Sequence, residues 1–216
     1  MSLGPMFIEK TKRGEVIYDV PSRLLKDRVI FLDTEVNEES SSNIISLLHL
    51  LNKENQEKPI DFWIDSPGGT IDGLFSICDM IDFISAPVKT ICVGSAYSAA
   101  AVLLSCGAKG QRFLMPNSTV MIHQIRNHGG ISGTGTEIKI EAKRIQYLKK
   151  KINLLLAETT GQPVEKIEKD TENDKYFNAE SAIKYGLADK ILRKPKPKEV
   201  KISEQVPEKK NSSTTK

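Results

Sequence analysis

The first half of this chain alternates strand-like apolar runs with helical patterns three times in succession, and this order constrains the fold more than any other feature. Two of the strand-like runs are "IDFWID" and the stretch from Val88 to Val93. Helically spaced apolar residues precede or follow them, such as Ile44, Leu47 and Leu48. Because strands joined through helices run in the same direction, the sequence predicts βαβ units with a largely parallel sheet, an α/β fold.

The second half predicts two short strands and a long helix. "RFLM" and "TVMIHQ" have strand composition. After the glycine-rich "NHGGISGTGT", a helix is predicted from Thr136 to Thr159, and Gly161 suits its C-terminal end. Its apolar stripe is longer than one small sheet can cover, so we expect part of it to pack on another subunit. The stripe comprises Ile138, Ala142, Ile145, Leu148, Ile152, Leu155 and Leu156.

Length and charge predict one domain that does not bind nucleic acid. The 216 residues, 39% of them hydrophobic, suffice for one globular domain with a core, predicted over residues 21–193. Residues 1–20 are predicted to form an N-terminal arm, and residues 194–216 a disordered, lysine-rich tail. The net charge of +3 depends largely on that tail, so the folded part is nearly neutral, unlike a domain that binds phosphates.

Cysteine usage and hydropathy predict a cytoplasmic protein. Cys78, Cys92 and Cys106 lie in apolar surroundings, where buried thiols act as small hydrophobic residues. No His, Cys, Asp or Glu cluster has the spacing of metal ligands, so no metal site is expected. No secretory signal opens the chain, and its apolar runs are shorter than the roughly 18 residues of a membrane span.

Ser98 lies where a strand-like run turns into a helix, in "VKTICVGSAYSAAAVLLSCGA". A small residue at such a turn is either a helix cap that allows close packing or a nucleophile. A helix N-terminus favours developing negative charge, which supports the second interpretation. A serine nucleophile also needs a base within hydrogen-bonding reach and a group that orients this base.

Three histidines are available as the base. His123 ends the strand "TVMIH", where a parallel sheet exposes side chains at its carboxyl edge. His49 lies in a helical pattern, and His128 lies in the glycine-rich stretch, so neither has such a setting. Several acids near turns or helix ends could orient the base, and the residues alone do not choose among them. These acids are Asp65, Asp82, Asp170 and Asp174.

The stretch "DSPGGT" follows a strand and could present backbone N–H groups to an oxyanion. Taken alone, the stretch is more typical of an ordinary Pro-Gly turn. The stretch "GGISGTG" does not predict a nucleotide site, because it follows no strand and lacks the lysine of a phosphate-binding loop.

Four segments in order resemble one known family. They are "SRLLKDRVIFL", "IDSPGGTIDG", "TICVGSAYSAAAVLLSCGAKGQRFLMPNSTVMIHQ" and "TGQPVEKIEKDTENDKYFNAESAIKYGLADKIL". From Phe7 to Leu192, the chain is similar to the ClpP family, the proteolytic subunits of Clp proteases. The resemblance implies the ClpP/crotonase-like fold, with a protruding handle at about residues 124–160 formed by a strand and the long helix.

The resemblance also implies a serine endopeptidase that cuts unfolded polypeptides and short peptides. The nucleophile of the family pattern Gly-x-Ala-x-Ser falls on Ser98, the base of "MIHQ" on His123, and the acid before "YFNAESA" on Asp174. The oxyanion donors fall on the backbone N–H groups of Gly69 and Ala99. No metal or cofactor is implied for this chain, since ATP is used by a separate AAA+ unfoldase. Subunits are expected to assemble as two stacked heptameric rings.

Departures from the family pattern concern the contacts between subunits. Asn173 stands where an arginine commonly pairs across the two rings, and "HQIRNHGGISGTG" carries extra residues. Asp61 stands where an aromatic residue is common in the cleft that docks the unfoldase. The other positions of that cleft are apolar. They are Trp63, Ile91, Val93, Phe113, Met115 and Leu192.

Two alternative functions accompany this interpretation. The departures are compatible with a catalytically weak or structural member of the rings, which could assemble with a second ClpP-like subunit. An enzyme acting on acyl-CoA thioesters shares the fold, but it does not need the three catalytic side chains that this chain has.

Overall fold

The computed structural model describes residues 6–11, 14–126 and 129–194. In these residues, two strands form a separate hairpin, and the remaining strands form one sheet with helices packed around it. The strands are β1 (Met6–Thr11), β2 (Gly14–Asp19), β3 (Val29–Leu32), β4 (Ile60–Ser66), β5 (Val88–Tyr97), β6 (Arg112–Leu114), β7 (Thr119–Ile122), β8 (Lys175–Asn178) and β9 (Lys190–Ile191). The helices are α1 (Val20–Lys26), α2 (Glu38–Glu54), α3 (Ile71–Phe83), α4 (Ala99–Ser105), α5 (Gly135–Thr160), α6 (Val164–Asp170) and α7 (Ala179–Tyr185).

The main sheet has the predicted parallel character. β3, β4 and β5 lie side by side in parallel, and β5 then pairs with two strands in turn. Its first half pairs with β6 (Thr90↔Arg112), and its second half pairs with β7 (Ser95↔Thr119). Only the β7–β8 pair of this described sheet is antiparallel. The α/β fold expected from the sequence is confirmed.

One face of the sheet forms the core. In β4, Ile60, Phe62 and Ile64 are fully buried and alternate with partly exposed residues, as in a strand with one covered face. Helices α2, α3 and α4 cover this face with their own apolar side chains. These include Ile44, Leu48, Leu51, Leu74, Ile77, Leu103 and Leu104.

Helix α5 is covered along only part of its length. Leu148 and Leu156 are buried, whereas Ile138 and Tyr147, nearer its N-terminus, are exposed. The helix begins with a capping box at Thr134 and ends at the predicted glycine, Gly161, with a φ of 74°. The strand expected before α5 as part of the handle does not form in residues 123–126 and 129–134, where the described sheet provides no strand to pair with it.

Part of the predicted N-terminal arm lies within the described residues. Strands β1 and β2 form an antiparallel hairpin within the predicted N-terminal arm, and Phe7 and Ile17 on it are exposed. Residues 1–5 and 12–13 of that arm lie outside the described residues. The predicted disordered tail also lies outside them, apart from Lys194.

Candidate active site

Ser98 joins β5 to α4 with an unusual backbone conformation. Its φ is 54° and its ψ is −121°, a combination that residues other than glycine rarely adopt. Its N–H donates to the carbonyl oxygen of Met121 at 2.8 Å, and its own carbonyl accepts from the N–H of Ala101 at 3.0 Å. The Ser98 hydroxyl does not cap α4. The structure therefore disfavours the helix-cap interpretation of this serine.

The turn at Gly68 and Gly69 lies against Ser98, and one of its N–H groups points away from Val36. The carbonyl of Gly68 accepts from the N–H of Val36 at 2.7 Å, and Thr70 donates back to the Val36 carbonyl at 2.7 Å. Because the C=O and N–H of a trans peptide point in opposite directions, the N–H of Gly69 points away from Val36. A Cβ on Gly69 would lie 2.1 Å from the Val36 carbonyl oxygen, so only glycine fits.

A second N–H group lies beside the first. A Cβ on Gly68 would lie 2.7 Å from the Cβ of Ser98 and 3.0 Å from the backbone nitrogen of Ala99, so this turn packs directly on the start of α4. Ala99 is the first residue of α4, where the N–H has no partner within the helix. The turn that carries Gly69 and the first N–H group of α4 are therefore adjacent.

Strands β7 and β8 bring His123 and Asp174 together. Ile122 pairs with Lys175 in the antiparallel register, so His123 and Asp174 occupy the next position along the two chains. The Nδ1 of His123 lies 4.0 Å from the Oδ1 of Asp174, which is longer than a hydrogen bond. The His123 side chain is 10% exposed and the Asp174 side chain is 31% exposed.

Arg126 binds the carboxylate of Asp174. The Nη2 of Arg126 contacts Oδ1, the same oxygen that faces His123. Because Arg126 lies only three residues after His123, one short segment supplies both the imidazole and a cation that competes for the acid. In this conformation Asp174 is paired with Arg126 and is adjacent to His123 without a direct hydrogen bond to it.

The other acids left open by the sequence have different surroundings. Asp65 accepts from the N–H and the hydroxyl of Ser95, and Asp82 is exposed on α3. Burial disfavours the charged form of Asp170, but hydrogen bonds from Lys166, Lys175 and Tyr185 outweigh it and lower the Asp170 pKa to about 2. Among these four acids, Asp174 is the one with an ion-pair contact to His123.

A cavity of about 620 Å³ connects most of these groups. Ser98, His123 and the turn at Gly69 line it, together with Ala99. Arg126 and Arg144 also line it, whereas Asp174 lies outside its lining, behind His123. This volume is within the usual range for small-ligand sites. It is also large enough for a few residues of a peptide.

His49 does not line this cavity. His49 is exposed on α2, and His128 lies outside the described residues. Across the described residues, no three or more His, Cys, Asp or Glu side chains are grouped so as to bind a metal. None of the described helices combines the length and the apolar composition of a membrane span.

The residues expected to dock a partner lie on and beside the outer face of the sheet. Trp63, Ile91 and Phe113 are aligned across β4, β5 and β6. Ile91 is buried, and the others of the predicted set are partly exposed. Phe31, which the sequence reasoning did not select, is 45% exposed and stacks on Trp63 with ring centroids 6.1 Å apart. Asp61 forms an ion pair with Lys89 at 3.0 Å beside this row.

Sequence reasoning missed Arg126, which lies three residues after His123, a residue that it did select. It pointed to the turn that contains Gly68, but the close packing of Gly68 on Ser98 depends on a contact between distant parts of the chain, so no local pattern shows it. Arg126 could have been noticed as the one cation in "HQIRN", but its partner depends on the β7–β8 register.

Comparison with protein families agrees with this geometry. The family model described as Clp protease matches residues 12–195, which span the main sheet, α5 and every residue of the cavity. This match covers most of the chain, and the peptidase activity of that family is consistent with a serine beside two backbone donors. The chain belongs to the Clp protease family.

Proposed function

We propose that this chain is the serine endopeptidase subunit of a self-compartmentalised protease, which cuts unfolded polypeptides and short peptides. The observation that carries the proposal is the shared cavity of Ser98, His123 and the N–H groups of Gly69 and Ala99. The strained backbone of Ser98 and its hydroxyl, which does not cap α4, add support. An acyl-CoA enzyme would need only the two N–H groups.

The proposed reaction uses these groups in two stages. His123 accepts the hydroxyl proton of Ser98 as the Ser98 oxygen attacks a peptide carbonyl. His123 then protonates the leaving amine. The N–H groups of Gly69 and Ala99 stabilise the oxyanion, typically by about 3 kcal/mol for one such donor. Water then hydrolyses the acyl-enzyme by the same route in reverse. Asp174 orients the imidazole and stabilises its charged form once it turns from Arg126, and no cofactor of this chain takes part.

Assembly and an ATP-dependent partner belong to the same proposal. Members of the Clp protease family form oligomeric rings. The exposed apolar residues of α5, such as Ile138 and Tyr147, support two stacked heptameric rings joined through this helix. The row containing Phe31, Trp63 and Phe113 supports docking of an AAA+ unfoldase, which would use ATP to feed unfolded substrates.

One observation favours a second candidate function, a catalytically weak or structural ring member. The pairing of Asp174 with Arg126 leaves the acid 4.0 Å from His123. If this pairing persists after assembly, the chain would contribute mainly structure to rings that contain a second, active ClpP-like subunit.

The test compares the protein with its Ser98→Ala variant on short fluorogenic peptides. We expect the variant to lose at least about a thousandfold in rate, since the nucleophile is removed. Ser95→Ala is the matched control, because Ser95 lies three residues earlier, in β5, and its hydroxyl donates to Asp65. A fluorophosphonate should label Ser98 of the wild type, whereas an acyl-CoA enzyme would show no adduct. Wild-type turnover by Ser98→Ala would refute the proposal.

A further inference from the structure

A second cavity, of about 640 Å³, shares no lining residue with the catalytic one. It lies among α3, α5 and the segment that follows α4. Two cysteines, Cys78 and Cys106, line it together with Lys109, Lys151 and Glu158. Nothing in the proposed peptidase reaction uses this cavity, yet it is large enough for a small ligand and contains two thiols.

The two thiols are in direct contact. Cys78 lies on α3 and Cys106 directly follows α4, and their Sγ atoms are 3.1 Å apart. A disulfide requires about 2.05 Å, so a movement of about 1 Å would allow the bond to form. Cys92, the third cysteine, is fully buried in β5, outside this cavity, and burial raises its pKa to about 12.

The surroundings of the pair give the two sulfurs different roles. The hydrogen bond to Cys106 and the burial of its side chain both raise the pKa of Cys78. Cys78 is 6% exposed, whereas Cys106 is only partly buried. Because the thiolate is the reactive form and must be accessible, Cys106 reacts first and Cys78 second. Lys109 and Lys151 line the cavity together with Asp79, Asp82 and Glu158, so its lining carries both signs of charge.

We propose that Cys78 and Cys106 form a reversible disulfide by exchange with a small-molecule disulfide that enters this cavity. The thiolate of Cys106 attacks one sulfur of the small disulfide, forms a mixed disulfide and releases one small thiolate. Cys78 loses its proton and attacks the sulfur of Cys106, which releases the second small thiolate. The protein loses two protons and two electrons, and the small disulfide gains both and becomes two thiols.

The bond would join the two helices that flank the catalytic cavity. Helix α3 starts two residues after Gly69, and α4 starts at Ala99. Each helix therefore begins at or just after one of the proposed oxyanion donors. The expected consequence for activity rests on the proposed function. Since displacements near 1 Å can cost on the order of a hundredfold in rate, drawing the helices together by part of that distance should lower peptidase activity severalfold.

The experiment treats the reduced full-length protein with oxidised glutathione, alkylates the remaining thiols and maps the products by mass spectrometry. We expect a linked Cys78–Cys106 peptide, an unmodified Cys92 and a rise in Tm of roughly 5–10 °C that a reductant reverses. Cys78→Ala should instead accumulate a glutathione adduct on Cys106. Cys92→Ala is the matched control and should form the same disulfide as the wild type.

Two results would contradict the proposed Cys78–Cys106 disulfide, whatever peptidase activity the protein has. One is a wild-type protein whose Cys106 keeps its glutathione adduct without forming the disulfide. The other is a folded protein in which both thiols stay free under conditions that oxidise the unfolded chain. A fully oxidised protein with unchanged peptide turnover would overturn the link to the catalytic cavity, while the mapped disulfide would stand.

Discussion

The two halves of the candidate active site are held in different ways. Ser98, Gly69 and Ala99 lie in the turns that follow β5 and β4 and at the start of α4, and backbone hydrogen bonds through Val36 and Met121 hold these turns. His123 and Asp174 lie at the end of the antiparallel β7–β8 pair, next to an irregular segment. There the acid binds Arg126, a side chain that is 49% exposed.

We call the part formed by Ser98, Gly69 and Ala99 the preorganised half, and the part formed by His123 and Asp174 the adjustable half. The proposed nucleophile and oxyanion donors are positioned by backbone hydrogen bonds and close backbone contacts. The position of the Asp174 carboxylate depends on whether it contacts Arg126 or His123. The exposed ion pair with Arg126 is worth only about 0–1 kcal/mol. A neighbouring subunit or a substrate that contacts Arg126 could therefore shift the acid towards His123. The comparison predicts that substitutions in the first half destroy activity and that substitutions in the second half tune it.

The largest expected effect is that of Gly69→Ala in the preorganised half. The added methyl would lie 2.1 Å from the Val36 carbonyl oxygen, at a φ of 150°, so the turn must move and its N–H with it. We expect peptide turnover to fall by about a hundredfold to a thousandfold, the usual cost of one oxyanion donor. Steady-state kinetics on a fluorogenic peptide measures this.

Gly110→Ala is the matched control for that substitution. Gly110 also has a positive φ, of 80°, but a Cβ there would meet nothing within 4 Å. Both variants therefore carry backbone strain, and only one disturbs the turn. Equal losses of turnover in the two variants would mean that strain, and not the position of the Gly69 N–H, sets the rate.

The same division explains what the sequence could predict. The parallel sheet, the turn into α4 and the C-terminal end of α5 follow from local patterns such as helical spacing and Gly161. The short elements α6, β8 and β9 were missed, because two to seven residues carry too little periodicity. The ion pair of Arg126 with Asp174 depends on the register of β7 with β8, which no local pattern specifies. The assignment of Ser98, His123 and Asp174 to catalysis stays a prediction.

The adjustable half is tested by Arg126→Ala. Removal of the guanidinium leaves the Asp174 carboxylate without its present partner, 4.0 Å from the imidazole of His123. We expect kcat to rise by about threefold to tenfold with KM little changed, a gain of roughly 0.7–1.4 kcal/mol. Measuring kcat and KM separately distinguishes better positioning of the acid from a change in substrate binding.

Two further variants show whether Arg126 acts through the acid. Arg144 also lines the cavity but pairs with Asp72 and Glu141, so Arg144→Ala removes the same charge without freeing Asp174. In an Asp174→Ala background, the gain from Arg126→Ala should vanish, because the two effects are coupled. A gain that persists without Asp174 would contradict the role given to this ion pair.

The smallest expected effect concerns the anchoring of the segment that carries Asp174. Asp170, partly buried at the end of α6, receives hydrogen bonds from Lys166 at 2.8 Å, Lys175 at 2.5 Å and Tyr185 at 2.8 Å. These outweigh the cost of burial and lower its pKa to about 2. Since the pKa is lower in the folded protein than in the unfolded chain, the charged form stabilises the fold above about pH 4. This contribution is lost as the pH falls towards 2.

Asp170→Asn should therefore lower the free energy of unfolding by about 1 kcal/mol at pH 7, and the difference from the wild type should shrink between pH 4 and pH 3. Urea unfolding at these pH values measures it. Asp72→Asn is the control, because its ion pair with Arg144 is 3.7 Å long and Asp72 is 85% exposed, so we expect no measurable change. A difference for Asp170→Asn that does not vary with pH would mean that hydrogen-bond geometry, and not the charge of Asp170, anchors the segment that precedes the acid.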